Sequence, residues 1–372
     1  MPRVLSAIRK KNLHSWLGGY ARHLVTRALL REVPKPCHIL VAFCDHFEPF
    51  WRGATSSEAD NRVRTWEKEW PTLARAFRDW DGRHPRHSFF YPGEQYMPDF
   101  LERLGNLART GLGEVEFHLH HDRDTARGLR EDIGRYLAEY SKHGHLSRDA
   151  SGRPRYAFIH GNWCLANSRK DGRWCGVDDE IPLLFETGCY ADFTFPSAPD
   201  ETQPNIVNQV YWPVGDLAKP RAYEQGQRAR VGEIKRDRIL IIQGPLCLIP
   251  PRAGRFTPKI ENGHVTGRDP ATPNRIRSWV AQWIHVEGRP EWVFVKIHTH
   301  GAPEQQATSL LGAPGRAFHA ELTGRYNDGK NFCLHYVTAR EMYNLAMAAM
   351  AGKSGNPADF LDFELSPPPV TK

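Results

Sequence analysis

The run HILVAFCDHFE, residues 38–48, decides the fold class. Its first part, His38–Cys44, is mainly apolar and too short for an ordinary helix, so it reads as a strand buried on both faces. Strands of that kind belong to parallel sheets. This one hands over directly to Asp45, His46 and Glu48. Reading outward, the same pattern recurs. Strands are expected at His87–Tyr91, Glu114–His120, Tyr156–His160, Tyr190–Phe195, Arg238–Gln243, Trp292–His298 and Phe332–Val337. Helical periodicity separates them at Glu58–Trp80 (N-cap Ser56 or Ser57), Pro98–Thr110, Thr125–Lys142, Asp178–Glu186, Pro273–Val286 (N-cap Thr272), Arg316–Tyr326 and Ala339–Met350. About eight strands alternating with helices predict an α/β chain built on a (β/α) barrel, complete or lacking a strand. A doubly wound open sheet is the alternative.

Residues 196–270, rich in Pro, Gly, Arg and Asn, read as a loop and hairpin insertion over the barrel mouth, with a turn at Glu261–His264. The barrel itself is expected over 36–351, followed by a tail at 352–372 whose last residues, SPPPVTK, read as a loose end. The formal net charge of +7 sits in the first 35 residues, and the remaining 337 are balanced at 42 basic and 42 acidic side chains. A basic body for nucleic acid is therefore excluded. Within 1–35, apolar residues recur at threes and fours between the basic ones. That pattern fits a basic amphipathic helix, either packed on the main domain or in peripheral contact with an anionic membrane. No run reaches the ~18 apolar residues of a membrane span, and the N-terminus lacks the apolar core of a signal peptide. The seven cysteines are scattered without a CxxC, which argues against a disulfide framework and for a cytoplasmic setting.

The chemistry collects at strand ends, where barrel enzymes keep it. His46, His118, His120, His121, His160, His298 and His300 all follow expected strands, as do Glu48, Glu94, Asn162 and Asp192. Alternation along a strand points His118 and His120 the same way, and His298 and His300 likewise. Two imidazoles and a carboxylate on one surface suit zinc or another divalent first-row metal. No GxSxG elbow, phosphate loop or GxGxxG pattern is present.

On CDHFEPF, EVEFHLHHD, YAFIHGNW, YADFTFPSAP and KIHTHG, in that order, the chain resembles the polysaccharide deacetylase superfamily of NodB type over roughly residues 37–340. It is similar in particular to a divergent branch found with bacterial exopolysaccharide genes. The resemblance implies a distorted (β/α) barrel of seven to eight parallel strands. It also implies a metal-dependent hydrolase that removes N- or O-acetyl groups from carbohydrate, with a divalent metal, zinc first. Carried over, Asp45 falls on the first acidic motif, with Glu48 three residues on. His118, with His120 or His121, falls on the metal-binding histidines. His298 or His300 falls on the late general acid.

The family's adjacent acids are Cys44-Asp45 here, and its third-motif arginine is replaced by His160-Gly161-Asn162. Either Asp45 is the base and Glu48 a ligand, or Asp45 is a ligand and the base is lost or is His46. His46, Glu94, His160, Asn162, Trp163 and Asp192 are the expected substrate contacts, with Trp163, Trp174, Tyr96 and Tyr211 available to stack on sugar rings. The expected substrate is an acylated carbohydrate or a lipid- or nucleotide-linked sugar precursor. Two other readings use the same residues: an amidohydrolase or phosphoesterase, and a non-catalytic carbohydrate-binding protein.

Overall fold

Alternating strands and helices make up the described chain, residues 11–30, 33–250 and 258–371 of a computed structural model. The first ten residues of the expected basic helix, with Arg31 and Glu32, lie outside the described residues, as do 251–257 of the insertion and Lys372. Helix α1 (Leu13–Ala28) precedes β1 (Cys37–His46), α2 (Ser56–Ala74), β2 (His87–Pro92), α3 (Pro98–Arg109), β3 (Gly113–Leu119), α4 (Ala126–Lys142), β4 (Ser147–Arg148) and β5 (Pro154–His160). There follow α5 (Glu180–Thr187), β6 (Cys189–Asp192), β7 (Val210–Pro213), β8 (Gly226–Arg228), β9 (Leu240–Ile242), β10 (Cys247–Ile249) and β11 (Lys259–Glu261). The chain closes with α6 (Pro273–Val280), β12 (Trp292–Thr299), α7 (Glu304–Leu311), α8 (Ala313–Tyr326), β13 (Phe332–Val337) and α9 (Ala339–Met350).

The main sheet is mostly parallel. Its hydrogen-bonded path runs β12-β1-β2-β3-β5-β6-β9-β7-β8. On one edge β1 pairs with β12. Its other edge is shared, with β13 along Cys37–Ala42 and β2 along Cys44–His46. Only β7, β8 and β4 join antiparallel. Alternation gives each strand two faces, and on β1, β2, β3 and β12 both are buried. Leu40, Ala42, Phe90, Ile159, Ala191, Phe193, Leu240 and Phe294 meet in one interior cluster, closed by α9, which is buried on every side. Ile39, Val41, Phe43, Phe89, Phe117 and Phe158 face the helices instead. Lys296 of β12 reaches across the interior and donates to the carbonyls of Phe193 and Phe195, just beyond β6.

Several boundaries move for local reasons. Thr55, not Ser56 or Ser57, caps α2, through a reciprocal capping box with Glu58. That helix ends at Ala74 rather than Trp80. Asp79 accepts the N–H groups of Asp81 and Arg83, which turns the chain onto β13, where Trp80 N–H meets Leu334. Helix α7 is unanticipated. The stretch 196–270 is more ordered than a loop. It extends the main sheet with β7, β8 and β9, and it forms a β10–β11 hairpin. Glu261–His264 is not that hairpin's turn; it runs beside β12, with His264 bridged to His298.

The C-terminal end is docked, not loose. Val370 N–H donates to Gly144, and Leu361 and Leu365 are buried. Helix α1 packs through Trp16 and Tyr20 onto Val207, Leu246 and Cys247 of the insertion. Gly19 permits this, because a Cβ there would overlap the Asn205 carbonyl. No described helix is long and apolar enough to cross a membrane, and all seven cysteines are free and buried.

Candidate functional site

The C-terminal ends of β1, β3 and β12 converge on the interior face. Leu40, Ala42 and Cys44 already point inward, so alternation turns His46 inward and Asp45 toward the helices. Glu48 follows two residues on. On β3 the outward residues are Val115, Phe117 and Leu119, which leaves His118 inward, and His120 continues that face. On β12, Trp292 and Phe294 set the inward register that His298 continues.

Glu48 is the hub. Its Oε1 lies 3.1 Å from His118 Nε2 and 3.2 Å from His120 Nε2. Its Oε2 lies 3.4 Å from His300 Nδ1. Each of the first two imidazoles is fixed from behind. His118 Nδ1 donates to the Ile159 carbonyl at 2.7 Å, and His120 Nδ1 meets Glu94 Oε1 at 2.6 Å. The Nε2 of each ring is thereby aimed at a carboxylate oxygen, and two acceptors at that separation require a proton or a cation between them. A divalent cation fits here: one ligand atom from each of His46, Glu48 and His118 lies within 4.8 Å of the others, and His120 reaches the same Glu48 oxygen, with the outer hydrogen bonds of His118 and His120 already made. Gly161 lets the His120 ring lie against the end of β5, because a Cβ there would overlap it.

Burial and charge set the protonation. Burial opposes ionisation of Glu48, but the hydrogen bonds from His118, His120 and His300 hold its carboxyl well below the usual range. Burial, reinforced by His300, His118 and His298, pushes His46 well below the ordinary imidazole value. Burial and the neighbouring His264 and Lys296 do the same to His298. Burial works to lower His120, yet Glu48 and Glu94 raise it to about 10. The His46 ring stands 4.7 Å from His300 and 5.0 Å from His118. Solvent reaches the cluster at one rim, where the side chains of His120 and Glu94 are 28% and 29% exposed.

Not every expected residue joins. Asp45 is fully buried in the helical layer, where its oxygens accept Gly301 N–H at 2.6 Å and face His87 Nε2 at 2.8 Å. Both of its oxygens are thus engaged away from the Glu48 cluster. His121 leaves it too: it turns outward, its Nε2 3.3 Å from Glu180 Oε1. His160, on the outward register of Tyr156 and Phe158, lies beside His121 with ring centroids 4.7 Å apart. Asp192 is buried and bound to the Thr194 hydroxyl at 2.7 Å, and burial raises its carboxyl to about 7. Asn162 and Trp163 form a left-handed turn after β5, φ 58° each. Tyr211 is fully buried with its hydroxyl on the Tyr223 carbonyl, which removes it as a stacking platform. His264, expected only as part of a turn, stacks on His298 at 4.9 Å and 2°. Glu180, Cys175 and His87 carried no signal in the sequence.

No family model matches the chain, and no curated protein matches it. Among solved structures it is similar to a "putative polysaccharide deacetylase" from Mycobacterium smegmatis, at 14% identity over 87% of this chain and 94% of that one, with a TM-score of 0.45.

Proposed function

We propose that this chain is a metal-dependent hydrolase on a distorted (β/α) barrel, removing acyl groups from carbohydrate nitrogen or oxygen. One observation carries the reading: a buried carboxylate, Glu48, met by two imidazole Nε2 atoms whose partner nitrogens are already engaged. Glu48 and His118, with His46 or His120, would hold a divalent cation, zinc first. A cation bound there supplies Lewis acidity and lowers the pKa of a water toward ~7.

The chain's own residues do the rest. Glu94 and the Ile159 carbonyl orient the His120 and His118 imidazoles. His298 is buried and neutral, and its Nδ1 has no partner, so it is suited to take a proton from water and return it to the leaving nitrogen or oxygen. His46 is the other neutral imidazole within reach. Asp45 takes no part, since both its oxygens are engaged elsewhere. The exposed rim at His120 and Glu94 is where an acylated sugar, or its lipid- or nucleotide-linked precursor, would enter. The interior cluster shared by β1, β2, β5, β6, β9 and β12 supports the barrel reading.

The test is hydrolysis by the metal-loaded chain. Acetate release from N- or O-acetylated sugars is expected, abolished in His118→Ala and reduced at least ~100-fold in His298→Ala, as for loss of a general acid-base. Release of phosphate from phosphate esters with none of acetate would replace the reading with a phosphoesterase.

A further inference from the structure

On the opposite face of the sheet the same arrangement occurs a second time. Glu180, at the start of α5, is fully buried, and its Oε1 faces His121 Nε2 at 3.3 Å and His160 Nε2 at 3.5 Å. Its other oxygen accepts Ala166 N–H at 2.6 Å and lies 3.5 Å from Cys175 Sγ. One imidazole is again set from behind by a hydrogen bond, while the other has a carboxylate nearby and no hydrogen bond at its Nδ1. His160 Nδ1 is bonded to the Gly161 carbonyl, and Asp124 Oδ2 stands 3.4 Å from His121 Nδ1. His160 Nε2 is fully buried yet has no hydrogen-bond partner. One ligand atom from each of His121, His160, Cys175 and Glu180 lies within 4.8 Å of all the others.

We propose that His121, His160, Cys175 and Glu180 form a second metal site, for a four-coordinate divalent ion of the zinc class. The donor set selects it: one thiolate, two imidazoles and one carboxylate match borderline-soft zinc and not the all-oxygen preference of calcium or magnesium. Cys175 binds as the thiolate, its proton leaving to solvent. The four ligands come from four segments: the ends of β3 and β5, the loop between β5 and α5, and the start of α5. That loop carries little regular structure and holds five non-glycine residues at positive φ, namely Asn162, Trp163, Ala166, Asn167 and Trp174. An ion here ties the loop to the sheet, a closed structural site. It also stands behind the first centre, because His121 follows His120 and His160 follows Ile159, whose carbonyl orients His118. The site does not depend on the hydrolytic reading and outlives it if no substrate is turned over.

Cobalt substitution tests it in the full chain. The wild type loaded with Co²⁺ is expected to show a thiolate-to-cobalt charge-transfer band, retained in His118→Ala and lost in Cys175→Ser. The His118→Ala protein supplies a second measurement that needs no change at the site. Stripping its metal by chelation is expected to speed tryptic cleavage after Arg169, Lys170 and Arg173 several-fold, and zinc is expected to reverse this. Absence of the band at saturating cobalt, its persistence in Cys175→Ser, or a cleavage rate indifferent to zinc would overturn the assignment.

Discussion

Asp45 and Glu48 lie three residues apart at the end of one strand and face different layers of the molecule. Asp45 satisfies Gly301 N–H and His87 from within the helical layer. Replacing it by Ala leaves a buried N–H and an imidazole unpaired, a cost of about 1–3 kcal/mol. Asp45→Ala is therefore expected to shift the denaturant midpoint while leaving bound metal unchanged; loss of metal would return Asp45 to the ligand set. A second buried acid makes a pH prediction. Burial raises Glu116 to about 8 against the pull of Tyr190 and the Ala157 N–H. Between its unfolded value near 4.5 and about 8 the native state holds a proton that the unfolded chain has lost. Stability thus falls as pH rises through that window, by a few kcal/mol at most. Glu116→Gln, which preserves the shape and removes the ionisation, should flatten that slope in melts between pH 5 and 8. At this scale the pairing of His118 with His120 was legible, because alternation along a strand fixes it. The direction of Asp45 follows from the same rule once the strand runs on to His46. His160 was not legible: β5 is apolar on both faces, so nothing in the sequence marks which face it takes.

Among the elements, the parallel strands were readable because each is a short apolar run closed by polar residues, and α9 because of its helical periodicity; the structure adds a Thr338–Glu341 capping box at its start. Most of the insertion was not readable, apart from β9 within the run Arg238–Gln243, because β7, β8, β10 and β11 are three or four residues each and owe their pairing to distant partners. Helix α1 shows how such a segment is held. It buries Trp16 completely and Tyr20 mostly against the insertion, and Asn205 Oδ1 accepts Gly19 N–H at 2.7 Å. Trp16→Ala should cost about 3–5 kcal/mol, the range for deleting a buried aromatic, read as a lower melting temperature. A change within ~0.5 kcal/mol, typical of surface substitutions, would mean that α1 is not docked as described.

For the whole molecule, the sheet separates two buried glutamates, Glu48 faced by three imidazoles and Glu180 by two. Glu48 and its partners lie in the interior, with a rim open to solvent. Glu180 and its partners lie under the helical layer, closed off. That division suits an ion that must meet a substrate and an ion that must only hold a loop. Most of the molecule's chemistry was visible as histidines at strand ends. Its sorting into two centres depends on strand faces and on Glu180, which lies in a helix far along the sequence. The most direct test of the interior centre is the metal content of protein purified without a metal-affinity tag, in wild type and His118→Ala. The account predicts two divalent ions per wild-type chain and one in the variant, the Cys175-linked cobalt band surviving. An unchanged metal content in His118→Ala, or no interior ion in wild type after zinc supplementation, would contradict it.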